Sequence, residues 1–327
     1  MGDLLDQRRV AASQRIADLE EHLADAKRYA GDRGCVYLTG SFARGEASLH
    51  SDLDLFIVGQ TDDEGRRLLS NLDEICLKAE LIKACKQTRF PEFSGDGEWL
   101  EHYTVKSLVD ALGWPDDDAS NTFTARMLLL LESRPLLGNA VYSSALDEVI
   151  AKYWVDYADH ADDFMPSFLA NDILRMWRTF CVNYEARTQR DPPRKKAKRK
   201  LKNYKLKHSR LLTCYSGLAY LLAVHQTRGT VTPLDVKEMA GLTPTERLER
   251  LPTGTDIKVG PHVDRLIHQY ERFLQQTDKP ESELVDLFVD ANKSAMLRAE
   301  ASEFGNSMFI LLTAIGSGSA LYRMLVV

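Results

Sequence analysis

The chain has 327 residues, of which 44% are hydrophobic and 28% are charged, and its net charge at pH 7 is −6. At roughly 150 residues per domain this length predicts about two domains, and the near-average composition excludes a disordered chain, a collagen-like repeat and a polytopic membrane protein. The five cysteines are widely separated, so we expect neither a disulfide framework nor a zinc knuckle, and a reducing cytoplasm fits best.

The first third of the chain alternates helical and strand patterns. Apolar residues at spacings of three and four predict helices, and short apolar runs predict buried strands. The predicted elements are, in chain order, a helix over 3–30, a strand over 35–39, a glycine-bearing turn, a strand over 52–58, a helix over 62–88 and a strand over 98–105. Together they predict an α/β domain over residues 1–115 that contains a small mixed sheet with helices.

Strand patterns give way to helical ones after residue 115, so we expect an all-α domain over 116–327. Its predicted helices cover 123–131, 141–157, 166–184, 201–225, 259–276 and 281–301. The stretch 304–322 has no charge, but glycine, serine, threonine and asparagine interrupt it, which favours a buried helix over a membrane span. We therefore expect no membrane partner.

Positive charge is concentrated in one segment. No Asp or Glu occurs over 192–234, whereas the same stretch holds eleven Lys and Arg residues. A basic island in an acidic protein predicts a local polyanion site. The run PPRKKAKRK within it is typical of an exposed, mobile loop or of a helix that starts after Pro193.

One constellation of residues carries chemistry. Gly40-Ser41 follows the first strand, and Asp52 and Asp54 begin the second with one residue between them. Alternate residues of a strand share a face, so both carboxylates are expected to point toward the Gly-Ser turn. Adjacent carboxylates need cations, and all-oxygen ligands favour Mg²⁺. Gly40 permits close approach of a ligand, and Ser41 can offer its hydroxyl and backbone N–H to phosphate. Two ions held there would suit phosphoryl displacement.

These residues, in LTGSFARGEASLHSDLDLF, resemble the DNA polymerase β-type nucleotidyltransferase superfamily. The resemblance implies that Gly40 and Ser41 grip phosphate and that Asp52 and Asp54 bind two Mg²⁺ ions. Arg44 resembles the arginine of the family's GSxARG variants. It is expected either to touch phosphate or to pair with Glu46.

The same resemblance implies a third carboxylate on a later strand, which completes a metal site and helps to deprotonate the acceptor hydroxyl. Glu101 is our preferred residue, because its neighbours form the strand-like run and its side chain there can face the two aspartates. Glu98 is the second choice and Asp96 the third. His102 has the opposite strand parity, so we expect a solvated histidine or one at the edge of the core.

The second half carries a weaker resemblance. TARMLLLLESRPLLGN and RKLKNYKLKHSRLLTCYSGL are similar to segments of bacterial protein-modifying uridylyl- and adenylyltransferases. Within the first segment, Arg126, Glu132 and Arg134 are interpreted as an intrahelical charge set. The resemblance favours a protein or a regulatory partner as the acceptor.

The basic segment allows three interpretations. Lys205 and Lys207 precede an apolar helix, and a helical domain that closes over the cleft would bring them to an NTP triphosphate. The run RKKAKRK can instead contact RNA phosphates, or it can be a solvated loop.

We therefore expect a Mg²⁺-dependent nucleotidyltransferase that moves NMP from an NTP, ATP among them, to an acceptor hydroxyl. The acceptor can also be a small molecule, a tRNA or a second nucleotide. The competing hypotheses are a non-catalytic NTP-binding module and an RNA-binding adaptor.

Overall fold

The computed structural model describes residues 3–91, 93, 100–185, 192–251 and 259–325. These residues form two compact units, Asp3–Val155 and Asp156–Val327.

The first unit contains all four strands that the structure describes. Its elements are α1 (Asp3–Glu20), α2 (Ala24–Ala30), β1 (Gly34–Thr39), α3 (Gly40–Ala43), β2 (Asp54–Gly59), α4 (Asn71–Gln87), β3 (His102–Thr104), α5 (Val105–Asp110), α6 (Asp116–Ala119), α7 (Thr122–Leu131), β4 (Arg134–Leu137) and α8 (Asn139–Tyr153). The strands form one sheet in the order β3-β2-β1-β4. Strand β1 is antiparallel to both neighbours, whereas β2 and β3 are parallel, which confirms the small mixed sheet.

The two faces of this sheet have different surroundings. Leu53, Leu55 and Ile57 belong to a buried core with residues of α1, α2 and α4. Because successive strand residues point to opposite faces, Asp54 and Phe56 lie on the other face. There Phe56 stacks on Tyr37 with ring centroids 5.5 Å apart. The second face is therefore the one that carries the motif aspartate.

The helices of the first unit differ from the predicted ones at their ends. The expected helix over 3–30 is interrupted between Glu20 and Ala24, so it forms α1 and α2. The expected helix over 62–88 begins only at Asn71, because the Ser70 side chain caps it by accepting from the backbone N–H of Asp73 at 3.1 Å.

Strand β4 was not predicted from the sequence. It follows the apolar run of α7 directly and contains Pro135, which weakens a strand pattern although edge strands tolerate it. Since β4 pairs with β1, the sheet includes residues well beyond 115, and the first compact unit extends to Val155. A functional division at residue 115 stays a prediction.

The second unit is helical throughout its described residues. Its elements are a 3₁₀ turn (Tyr157–Asp159), α9 (Ser167–Glu185), α10 (Pro193–Lys205), a π-helical turn (Leu206–Arg210), α11 (Leu211–Arg228), α12 (Pro233–Gly241), α13 (Pro244–Glu249), α14 (Gly260–Gln276), α15 (Glu281–Val289), α16 (Ala291–Gly316) and α17 (Ala320–Met324). The basic run is thus a helix that starts at Pro193, and its interpretation as a mobile loop is wrong. The uncharged stretch 304–322 lies in α16 and α17, and no described helix has the length and apolarity to cross a membrane.

Candidate active site

The Gly-Ser turn and the first aspartate of β2 meet at one end of the sheet. Strand β1 ends at Thr39, whose register partner across the sheet is Asp54. Gly40 follows with φ of 68°, in the left-handed region that favours glycine. A Cβ atom at residue 40 would collide with Oδ2 of Asp54. The turn therefore requires glycine for two reasons, its backbone conformation and the carboxylate that lies against it.

Asp52 lies just outside β2, which begins at Asp54 rather than at residue 52. It is exposed, Leu53 is buried with 3% of its surface exposed, and Asp54 is half-buried. This alternation continues the strand pattern for two residues beyond the ladder. The burial pattern agrees with the expectation that both aspartates share the side opposite Leu53.

Arg44 follows the short helix α3, and its guanidinium is buried between two glutamates. Nη2 lies 2.6 Å from Oε1 of Glu46, and Nη1 lies 2.8 Å from Oε2 of Glu132. The expected pair with Glu46 is therefore present. A contact of Arg44 with phosphate stays a prediction. Ser41 is half-buried, and its carbonyl accepts from the backbone N–H of Glu46 at 2.9 Å, which closes the turn.

Glu132 is the residue at this site that sequence reasoning missed. It immediately follows α7, is 3% exposed, and accepts a hydrogen bond from the backbone N–H of Gly40 at 2.8 Å. The interpretation of Arg126, Glu132 and Arg134 as an intrahelical set is wrong, because Arg126 pairs with buried Asp117 at 2.5 Å and Arg134 begins β4. The resemblance of ESRPLLGN to a family segment was the available signal.

Glu101 lies at the same end of the sheet as Asp54. It precedes β3, in which His102 pairs with Ile57 and Tyr103 with Val58. Continuing this parallel register places Glu101 beside Phe56, hence on the face of Asp54. The Tyr103 hydroxyl donates to Oε2 of Glu101 at 2.6 Å. Burial and that neighbouring carboxylate raise the pKa of Tyr103, so the tyrosine stays a donor. The alternatives Asp96 and Glu98 lie outside the described residues.

His102 points to the opposite face, at the edge of the core as expected. Its Nδ1 lies 2.8 Å from Oε2 of Glu74 in α4. Burial lowers the pKa of His102 although Glu74 opposes this effect. Burial works against ionisation of Glu74, but hydrogen bonds from Lys78 and His102 lower its pKa overall. These groups brace α4 against β3 on the side away from Asp54.

A groove of about 760 Å³ runs along the β3 edge of the sheet. The described residues that line it include Glu101, Tyr103, Arg67, Lys78 and exposed Trp114. It therefore offers charged and aromatic groups next to Glu101.

Lys205 and Lys207 belong to the second unit. Lys205 ends α10 and is exposed, and Lys207 lies in the following π-helical turn and is half-buried. Helix α10 buries Ala197, Leu201 and Tyr204, and Lys198 pairs with Glu281 of α15 at 2.6 Å. Binding of a triphosphate by Lys205 and Lys207 stays a prediction.

The donor chemistry around Gly40 fits a hard divalent cation. Asp52 and Asp54 supply only oxygen atoms, which Mg²⁺ prefers, and the missing Cβ of Gly40 leaves the Asp54 carboxylate its place. Among the described residues, no three His, Cys, Asp or Glu side chains are already gathered as a metal-ligand cluster.

Comparison with known proteins adds independent evidence. The family model described as nucleotidyltransferase domain matches residues 19–89, a span that includes Gly40, Ser41, Asp52 and Asp54. Neither a curated protein nor a solved structure is detectably similar to the chain. The match covers the strands, turn and helix that hold the motif. Residues 19–89 are therefore a nucleotidyltransferase domain, which supports the resemblance to the DNA polymerase β-type superfamily and a nucleotidyltransferase activity for the chain.

Proposed function

We propose that this protein transfers NMP from an NTP to an acceptor hydroxyl in a Mg²⁺-dependent reaction that releases pyrophosphate. The observation that carries the proposal is the contact between Gly40 and Asp54. Only glycine, which has no Cβ atom, leaves space at residue 40 for the Asp54 carboxylate. This arrangement favours a charge-binding site over an ordinary surface turn.

Asp52, Asp54 and Glu101 are the residues that would hold the two Mg²⁺ ions. The ions would supply charge neutralisation at the phosphates and lower the pKa of the attacking hydroxyl. The β1–β2 register supports this proposed role for Asp54, and the β2–β3 register supports it for Glu101.

The chain's own groups divide the remaining work. Ser41 would orient phosphate oxygens through its hydroxyl and backbone N–H. Glu101 would accept the proton of the acceptor hydroxyl, whose oxygen forms the new bond to the α-phosphorus. The bond from that phosphorus to the β-phosphate oxygen breaks, and pyrophosphate leaves with the electron pair.

The proposed acceptor is a protein or a regulatory partner. Its support is the similarity of segments in α7 and in α10–α11 to protein-modifying uridylyl- and adenylyltransferases. Lys205 and Lys207 would bind the triphosphate of the NTP. We place the reaction in the cytoplasm, where the free cysteines of the chain stay reduced.

The test uses the full chain with each α-labelled NTP, with and without Mg²⁺, in a cell lysate. Label recovered on protein supports the proposal in full. Label on RNA or on a small product supports nucleotidyl transfer but contradicts the acceptor class.

Asp54→Asn is the decisive variant, because it keeps the shape of the side chain and removes its charge. We expect Asp52→Asn and Asp54→Asn each to reduce transfer at least about 10²-fold while circular dichroism stays unchanged. Asp73→Asn, in α4, is the matched control and should transfer normally. Near-normal transfer by Asp54→Asn would refute the metal assignment.

A further inference from the structure

Glu132 connects the two ends of the Gly-Ser turn. Its Oε1 accepts from the backbone N–H of Gly40 at 2.8 Å, and its Oε2 lies 2.8 Å from Nη1 of Arg44. Gly40 begins α3, and Arg44 directly follows it. One carboxylate therefore spans the whole turn.

The fold brings Glu132 to this place from 92 positions along the chain. Glu132 directly follows α7 and lies two residues before the first residue of β4, and β4 pairs with β1 so that Arg134 lies opposite Leu38. The antiparallel register of β4, continued by two residues before Arg134, thus brings Glu132 to Gly40 at the end of β1, where the turn starts.

Glu132 is buried, so its carboxylate requires partners for both oxygens. Its side chain is 0% exposed, and a buried carboxylate is tolerated only when its oxygens are paired. Both oxygens have partners of positive or donor character, so the side chain has little freedom to move. A fixed acceptor of this kind holds the Gly40 peptide in one orientation.

The orientation of Gly40 matters because Asp54 lies directly against it. A rotation of the Gly40 peptide would move the backbone toward or away from the Asp54 carboxylate. Displacements of about 1 Å at a reacting centre can reduce rates about 10²-fold. The Glu132 contact and the position of the motif aspartate are therefore mechanically linked through one residue.

We propose that Glu132 is a positioning residue for nucleotidyl transfer, which acts by holding Gly40 and Arg44 so that Asp54 and Ser41 keep their places. This inference rests on the function proposed above. The role is one of positioning, because the oxygens of Glu132 bind groups of the protein itself, Arg44 and the Gly40 amide.

Glu46 provides a matched control. It also pairs with Arg44, at 2.6 Å, and it is also buried, whereas the hydrogen bond from the Gly40 amide goes to Glu132. A role in burying Arg44 is shared by both glutamates, whereas a role in orienting Gly40 belongs to Glu132.

The experiment compares Glu132→Leu, Glu132→Gln and Glu46→Gln in the full chain. The first readout is hydrogen exchange of the Gly40 amide in the protein without nucleotide or metal. The second is kcat and KM for labelled ATP and the other NTPs in the transfer assay. Melting temperatures show whether each variant is folded.

We expect Glu132→Leu to speed Gly40 exchange at least about 10-fold and to lower kcat about 10²-fold, with KM for NTP changed less than about twofold. Glu132→Gln keeps an acceptor oxygen for the Gly40 N–H and should restore most of the protection and of kcat. Glu46→Gln should leave Gly40 exchange unchanged.

Three results would overturn the inference. One is normal Gly40 exchange in a folded Glu132→Leu variant, and another is a loss of kcat in Glu46→Gln as large as that in Glu132→Leu. The third applies if Glu132→Leu does not fold. Glu132→Asp, whose side chain is one methylene shorter, is then measured instead, and unchanged Gly40 exchange together with unchanged kcat in that variant would overturn the inference. A wild-type chain that transfers no label would refute the proposed function instead, while the exchange readout would still measure the hold on Gly40.

Discussion

The Gly-Ser turn and helix α10 both concentrate charge, but they treat it differently. At the turn, Arg44 is 8% exposed and lies within 3 Å of two glutamates that are themselves buried. On α10, Lys195 and Lys196 are exposed, and Lys198 pairs with an equally exposed Glu281. The turn fixes its charges, whereas the helix presents them to solvent.

This difference has physical consequences for function. Buried pairs are strongly distance-dependent and hold geometry, and breaking one leaves an uncompensated charge. Exposed pairs contribute roughly 0–1 kcal/mol and weaken with salt. The turn is therefore suited to positioning reacting groups, and α10 to salt-sensitive attraction of a polyanion.

The largest effect is expected from a change at Glu101, which tests whether this residue belongs to the same site as the Gly-Ser turn. Replacing Glu101 by Gln should reduce transfer about 10³-fold, because the change removes the charge of the carboxylate proposed as proton acceptor and metal ligand. Glu98→Gln is the comparison, because Glu98 is the second choice of the sequence analysis for the third carboxylate. Equal and mild losses in the two variants, measured by label transfer, would remove Glu101 from the site.

A somewhat smaller effect is expected from Gly40→Ala. The new methyl group collides with Oδ2 of Asp54, so transfer should fall about 10²-fold. Gly45→Ala is the control, because Gly45 has nearly the same φ, 67°, and a Cβ there meets the Arg9 side chain at 3.3 Å rather than a carboxylate. Both variants should lose about 1–2 kcal/mol of stability, measured by urea unfolding. If both lose activity equally, backbone strain and not the carboxylate explains the requirement for glycine.

Two groups of charge-removing variants test whether α10 binds the NTP. Lys205→Ala should raise KM for NTP about 10-fold, as expected for loss of a cation that binds phosphate. Removing charge at Lys195, Lys196, Lys198 and Arg199 should leave NTP binding nearly unchanged. Titration of labelled NTP at two salt concentrations measures both. All these residues belong to α10. The experiment therefore compares a lysine at the C-terminal end of the helix with basic residues near its N-terminal end. Retained affinity in Lys205→Ala would place the triphosphate elsewhere.

The smallest effect concerns stability. Burial lowers the pKa of His208 in the second unit to about 4, compared with about 6.5 in an unfolded chain. Between these values the unfolded chain binds a proton that the native state does not, so stability is lost as the pH falls through this window. We expect about 2 kcal/mol between pH 7 and pH 5.

His208→Phe separates this effect from other titrating groups. Phe can keep the stacking on Phe273, whose ring centroid lies 4.5 Å from that of His208, and it does not titrate. Urea unfolding at pH 7 and pH 5 should therefore show a smaller pH-dependent loss in His208→Phe than in the wild type. Equal losses would show that His208 is protonated without penalty.

The parts of the site that the sequence predicts are those encoded by short spacings. Gly40, Ser41, Asp52 and Asp54 lie within one β-turn-β unit, whose apolar alternation sets the register of the strands. Glu132 was missed because its contact depends on β4, a short strand hidden by the apolar run of α7. Local periodicity contains no information on such a pairing, since strand partners are chosen by tertiary packing.

Buried pairs show the same limit. Arg126 and Asp117 are both 0% exposed and bind each other at 2.5 Å, yet a sequence pattern gives charged residues on a helix no reason to be buried. The basic run illustrates the opposite error, because its high charge concealed the buried face of Ala197, Leu201 and Tyr204 that makes α10 a helix.

The contact between Gly40 and Glu132 also bears on how the protein is made. A chain that emerges from the ribosome exposes the Gly-Ser turn long before residue 132 has been synthesised. Contacts of such sequence separation form late, because a long loop must close first. A fragment limited to the family-matched residues 19–89 lacks β4 and Glu132 altogether. Its motif would be intact as sequence, but its turn would be without the acceptor that holds Gly40. The role proposed for Glu132 therefore implies that catalytic competence is acquired during synthesis only after β4 has joined the sheet.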